Sequence, residues 1–225
     1  MLDASEEARL AALASYCVLD TDAEDEYDDL TRLAAQICDT PIALVSLVDR
    51  DRQWFKSRHG LTVTETPRDQ SFCAHAVAKR ATLVVADATA DPRFHDNPLV
   101  TGEPRIRFYA GVPLLTADGP ALGSLCVIDR RPRLLEVAQL EALQALSRQV
   151  VRLLEMRRVT AKLAEALAGM NTLRRLMPMC AWCRKVRDDA GYWGQVEAYL
   201  SRHAGVDTSH GICPACEVAV TRGGG

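Results

Sequence analysis

The strongest constraint on the fold is a change of hydrophobic period near residue 41. Before it, apolar residues recur at helical spacing. Residues 5–18 set Leu10, Leu13 and Tyr16 on one side behind Ser5 as N-cap, and residues 24–39 do the same with Tyr27, Leu30, Leu33, Ala34 and Ile37. Residues 42–48 (IALVSLV) are then a largely apolar run rich in Ile, Val and Leu, ending at Asp49-Arg50-Asp51-Arg52. Residues 53–57 are again strand-like, which predicts two strands joined by a polar turn. A short helix is expected at 71–79 and a buried strand at 83–86. Two further strands are expected at 107–115 and 122–128, around the turn Ala117-Asp118-Gly119-Pro120. Between them, residues 87–101 form a loop rich in Asp, Pro and Asn, long enough to be functional. Strands with helices at both ends predict an α+β domain over residues 1–135.

Residues 136–176 return to a helical pattern of unusual length. Leu143, Leu146, Val150 and Leu153 define one register, and Met156, Val159, Leu163, Ala166, Met170, Leu173 and Met177 a second. The two fail to join between Leu153 and Met156, as at a stammer, and Gly169 weakens the helix further on. The expectation is a first half packed on the sheet and a second half pairing with another copy in a homodimer. A cysteine-rich tail follows over 177–219, with a disordered end at 220–225.

At 225 residues the chain is long enough for about one and a half domains, in keeping with this division. Its 27 basic and 30 acidic residues give a net charge of −3, so no general positive field draws nucleic acid or an anionic membrane. The acidic start MLDASEEARL lacks the pattern of a secretory signal, and the apolar run at 41–48 is far shorter than the roughly 20 residues of a membrane span. A cytoplasmic location is expected.

Of eight cysteines, Cys17, Cys38, Cys73 and Cys126 stand singly and read as small buried apolar residues. Cys180, Cys183, Cys213 and Cys216 form two C-x-x-C pairs, separated by the 29 residues from Arg184 through Ile212. Four thiolates suit tetrahedral Zn2+, and each pair turns both sulfurs toward one ion. A helix at 195–203 accounts for the long separation, and His210 offers an alternative fourth ligand. Such a closed site is structural. The other readings are a redox dithiol, suggested by Cys-Pro-Ala-Cys, and unliganded thiols.

Aromatic residues cluster in sequence with a few polar groups: Trp54, Phe55, Phe72, Phe94, Phe108 and Tyr109 beside Cys73, His75, Asp87 and Arg107. That mixture suits a small-ligand pocket, the alternative being that each ring fills the core. Cys73 and His75 are separated by Ala74, and the pair also fits an activated thiolate.

Over about two thirds of the chain the sequence resembles the GAF domains of bacterial signalling proteins, as attached to sensor histidine kinases and diguanylate cyclases. The matching segments are IALVSLVD at 42–49, QWFK at 53–56, RDQSFCAHA at 68–76 and VADA at 85–88. They continue with DPRF at 91–94, NPLV at 97–100, RFYAGVPL at 107–114 and LGSLCVID at 122–129. The resemblance implies an antiparallel sheet with helices on one face and a ligand cleft on the other. Ligand contacts are then expected from Trp54, Phe55, Phe72, Cys73, His75, Asp87, Arg107, Phe108 and Tyr109. The tail resembles a cysteine-rich segment found on bacterial PAS, GAF and receiver proteins, matched by Arg187-Asp188-Asp189, Gly191-Tyr192-Trp193, Glu197, Tyr199 and residues 209–214.

The functional expectation is a sensor with no catalytic residues, not an enzyme, which binds an unknown small molecule and signals by contact with a protein partner. Two alternatives stand beside it. One is a cysteine-based redox enzyme or sensor akin to methionine-sulfoxide-reducing GAF proteins. The other is a zinc-dependent nucleic-acid adaptor, suggested by Arg174, Arg175, Arg184, Lys185 and Arg187 and opposed by the interspersed acids.

Overall fold

The computed structural model describes residues 4–117, 119–174, 179–188, 190–205, 209, 211–214 and 217. Asp118, Met177, His210, Cys216 and residues 220–225 lie outside them. The chain divides into two compact units, Met1–Lys162 and Leu163–Gly225.

The first unit opens with α1 (Ala4–Ala14) and α2 (Asp25–Cys38), the latter closed by Asp39 in the left-handed conformation. Strands β1 (Ile42–Val48), β2 (Arg52–His59) and β3 (Glu65–Pro67) follow, then α3 (Phe72–Lys79) and β4 (Leu83–Val85). The one-turn helix α4 (Pro98–Thr101), β5 (Phe108–Leu115) and β6 (Ala121–Asp129) precede the long helix α5 (Val137–Arg174). The strands form one antiparallel sheet in the order β3-β2-β1-β6-β5-β4. Its centre is β1 against β6, so both are covered on each side and every residue of both is buried. That double covering explains why residues 42–48 are apolar without alternation.

Strand alternation divides the core in two. Ala43, Val45 and Leu47 of β1, Trp54, and Phe108, Ala110, Val112 and Leu114 of β5 face α1, α2 and the first half of α5. Leu44, Val48, Phe55, Tyr109, Cys126 and Ile128 face the other way, beneath α3 and the segment carrying Ala88, Phe94, Val100 and Ile106.

Helix α5 runs unbroken through Gly169. Leu143, Val150 and Leu154 are buried against the sheet, with Leu146 and Leu153 partly so. Tyr16 donates from its hydroxyl to Glu155 Oε1 at 2.6 Å, and Arg157 Nη1 pairs with Glu24, fastening the helix to the N-terminal segment. Beyond this anchor Met156, Val159, Leu163 and Leu167 are exposed.

In the second unit, β7 (Val186–Arg187) and β8 (Trp193–Gly194) form a small hairpin, followed by α6 (Val196–Ala204). Among the described residues no helix is long and apolar enough to cross a membrane.

Candidate ligand cleft and cysteine sites

The face of the sheet beneath α3 carries the candidate site. Ser71 caps α3, its hydroxyl accepting from the Ala74 backbone N–H at 3.0 Å, and also bonds to Gln53 Oε1. The Gln53 amide donates to Thr66 Oγ1 at 2.9 Å, so this buried side chain ties β2 to β3 and to the start of α3. On the opposite side of the loop, the Asn97 side chain caps α4 and donates to the Gln70 carbonyl at 3.0 Å.

Between these fixed points lies a cavity of about 390 Å3. Its floor is Leu44, Phe55 and Ile128 from the sheet, and its walls are Leu61, Val63, Leu99, Pro104 and Ile106 from the flanking loops. Gln53, Thr62, Thr66, Glu103 and Arg130 supply the polar groups. Arg130 donates from Nε to the Pro104 carbonyl at 3.1 Å, while Glu103 pairs with Arg105 at 3.3 Å. The size and the mostly apolar lining fit a small organic molecule with one or two polar ends.

Only Phe55 of the nine expected ligand residues lines this cavity. Trp54 and Phe108 lie in the core on the opposite face of the sheet, because neighbours along a strand point to opposite sides. Phe72, Cys73 and Tyr109 do come together, but as packing. Phe72 stacks on Phe94 at 4.0 Å between centroids, and Tyr109 tilts against Phe72 at 5.2 Å. His75 meets the edge of Phe94 at 4.8 Å and lines a separate open groove with Arg50, Asp51, Arg68 and Asp69. Its pKa is held below the ordinary value, first by burial and then by Arg93 and Lys79. Asp87 closes its own turn by accepting from the Thr89 N–H and hydroxyl. Arg107 donates to the carbonyls of Val100 and Ile106 and braces the loop. Leu44 and Ile128 share the face of Phe55 through the pairing register of β1, β2 and β6, which alternation within each strand does not supply. The loop residues Leu99, Glu103, Pro104 and Ile106 carry no such signal.

Two groups of thiols stand elsewhere. Cys73 and Cys126 are buried with their Sγ atoms 3.8 Å apart, whereas Cys38 is buried in the other core and Cys17 is exposed. In the second unit the Cys183 N–H donates to Cys180 Sγ at 3.5 Å, and Arg184 turns the chain at φ 60°. Cys213 is exposed, and among the described residues no three potential ligands gather as a metal site. Cys216 lies outside the described residues.

This sheet, with its helices and cleft, is that of a GAF domain. The sequence profile of the GAF domain family matches residues 22–154, and the chain belongs to that family. A cyclic di-GMP phosphodiesterase of Pseudomonas aeruginosa is 52% identical over 128 residues, which cover 57% of this chain and 22% of that protein. The crystal structure of the GAF domain from an Acinetobacter phosphoenolpyruvate-protein phosphotransferase superposes with a TM-score of 0.52. It is 16% identical and covers 70% of this chain and 97% of its own. A free methionine-R-sulfoxide reductase from Neisseria meningitidis, in complex with its substrate, is 22% identical with a TM-score of 0.49, covering 73% of this chain and 95% of its own. The protein is therefore a GAF-domain signalling protein of bacterial type. The expectation that it is not an enzyme is corrected, because the relative that is 52% identical is named as one.

Proposed function

We propose that the chain acts in cyclic di-GMP signalling, its GAF domain taking up a small molecule in the 390 Å3 cavity and thereby altering cyclic di-GMP turnover. The cavity carries this reading, and the phosphodiesterase relative supplies the signalling context. The apolar floor suits a hydrocarbon or ring body, while Arg130 at the cavity edge suits an anionic end. Occupancy passes to a protein partner through α5. Its exposed Met156, Val159, Leu163 and Leu167, at three- and four-residue spacing, have the pattern of a helix-pair seam between two copies. For a ligand to switch the protein, it must bind one arrangement of that helix better than the other.

Leu99→Trp, which fills the cavity from its wall, provides the test. Overproducing the chain in a bacterium should change the cellular cyclic di-GMP level, and the variant, folded by circular dichroism, should not. Native mass spectrometry should find a small molecule retained by the wild type and lost from Leu99→Trp. An unchanged cyclic di-GMP level in both strains overturns the signalling context. Equal effects from a blocked and an open cavity overturn the ligand role.

A second reading concerns the tail. We infer a structural Zn2+ held by Cys180, Cys183, Cys213 and Cys216. The Cys183 N–H pointing at Cys180 Sγ supports it, since a backbone N–H to sulfur bond stabilises a thiolate ligand.

A further inference from the structure

We propose that Cys73 and Cys126 are a peroxide-oxidised dithiol that closes into a disulfide inside the GAF domain. The two residues come from distant parts of the chain, 53 positions apart. Cys73 sits in the first turn of α3 and Cys126 in the middle of β6, with their Sγ atoms 3.8 Å apart. No other residue separates them at that distance, and a movement of under 2 Å joins them, since a disulfide bond is about 2.05 Å long.

Their surroundings differentiate the two sulfurs. The Tyr109 hydroxyl donates to Cys73 Sγ at 3.3 Å, with Ser124 Oγ 3.4 Å from the same hydroxyl. The first turn of α3 adds partial positive charge. Hydrogen bonding from the Cys126 thiol is the largest influence on Cys73, followed by opposing burial and then by Ser124, Tyr109 and Ser46. The Cys73 thiol is thereby held below its ordinary value. The Cys126 thiol is pushed up, chiefly by the same contact and by burial. One thiolate beside one thiol is the pairing that disulfide formation requires.

The step balances with hydrogen peroxide as oxidant. The Cys73 thiolate attacks one peroxide oxygen, the O–O bond breaks, and Cys73 sulfenic acid and hydroxide form. Hydroxide takes the Cys126 proton and becomes water. The Cys126 thiolate then attacks the Cys73 sulfur, the S–O bond breaks, and hydroxide leaves to be protonated. In sum, two thiols and one peroxide give one disulfide and two waters. Burial of both sulfurs makes entry of peroxide depend on local opening of α3, so the reaction is slow compared with that of an exposed thiolate. The cross-link would tie α3 to β6 next to Leu44, which is opposite Cys126 in the sheet and lines the cavity.

The full chain, treated with hydrogen peroxide, acid-quenched, alkylated in denaturant and digested with trypsin without reductant, tests this. The peptides 69–79 and 108–130 each hold one cysteine. They should appear joined, two hydrogens lighter than their sum, and separate on adding dithiothreitol. In Cys126→Ser, Cys73 should instead be trapped as a dimedone adduct, while in Cys73→Ser residue Cys126 should stay reduced. Recovery of both peptides separately alkylated, while the exposed Cys183 and Cys213 are oxidised, overturns the proposal. A Cys126→Ser protein with no dimedone adduct on Cys73 overturns it as well.

Discussion

Lys56 is a charge sealed inside the domain. Its side chain has no exposure, and its three ammonium hydrogens go to Thr21 Oγ1 at 2.9 Å, the Asp22 carbonyl at 2.7 Å and Glu24 Oε1 at 2.5 Å. Tyr27 lies beneath it at 5.2 Å. Losing the acid should cost more than losing the base, because Glu24→Ala leaves a buried ammonium, whereas Lys56→Met leaves a half-exposed carboxylate that still holds Arg157. We expect about 3 kcal/mol for Glu24→Ala and about half of that for Lys56→Met, read from urea unfolding midpoints. Equal costs would assign the effect to packing instead of charge. Glu6 provides a pH signature. Hydrogen bonds and charge from Arg9, and then Arg68, hold its carboxyl down from 4.5 to about 2. A depressed carboxyl stabilises the fold above its unfolded value and loses that contribution as pH falls toward the folded one. The wild type should therefore exceed Glu6→Gln in stability at pH 6, with the gap closing between pH 4.5 and 2. A gap of constant size across that range would remove Glu6 from the account.

At the scale of elements, the central pair β1 and β6 depends on one missing side chain. A Cβ at Gly123 would stand 1.9 Å from the Ser46 carbonyl oxygen and 2.8 Å from the Leu47 Cα, both backbone atoms that cannot swing aside. Gly123→Ala should destabilise the domain by about 3 kcal/mol, and a thermal melt unchanged from wild type would show that the strands can separate without penalty. Long elements with a strong hydrophobic period were legible in the sequence. The two N-terminal helices, β1, β2, β5, β6 and the first half of α5 all fall within a few residues of expectation. Of the strands of two or three residues, β4 was legible from its apolar run Leu83-Val84-Val85, whereas β3, β7 and β8 were not, since their polar or mixed segments have no period and exist only through their partners. The site was less legible than the fold. Trp54 and Phe55 look alike in sequence, yet one is core and the other cavity floor, and only the strand's facing decides between them. The rest of the cavity comes from loops whose paths are set by tertiary anchors such as Asn97 on Gln70 and Arg130 on Pro104, which no local pattern announces.

For the whole molecule, the two units differ in what holds them. Met1–Lys162 encloses a double apolar core on either side of its sheet. In Leu163–Gly225, Val186 is the only buried apolar side chain among the described residues, and Trp182 and Tyr192 are largely exposed. A segment whose described residues bury so little needs another source of stability, and a four-thiolate metal site is the one its cysteines offer. If Zn2+ supplies it, reduced protein purified without chelator should carry one zinc per chain. Zinc release should follow titration of the thiols with a mercurial, read with a metallochromic dye. Stripping the metal should make residues 179–217 sensitive to protease, while the main thermal transition, which belongs to the GAF core, stays where it was. A reduced chain that neither retains nor takes up zinc would end the metal reading. A GAF transition that falls with the metal would show that the second unit stabilises the first.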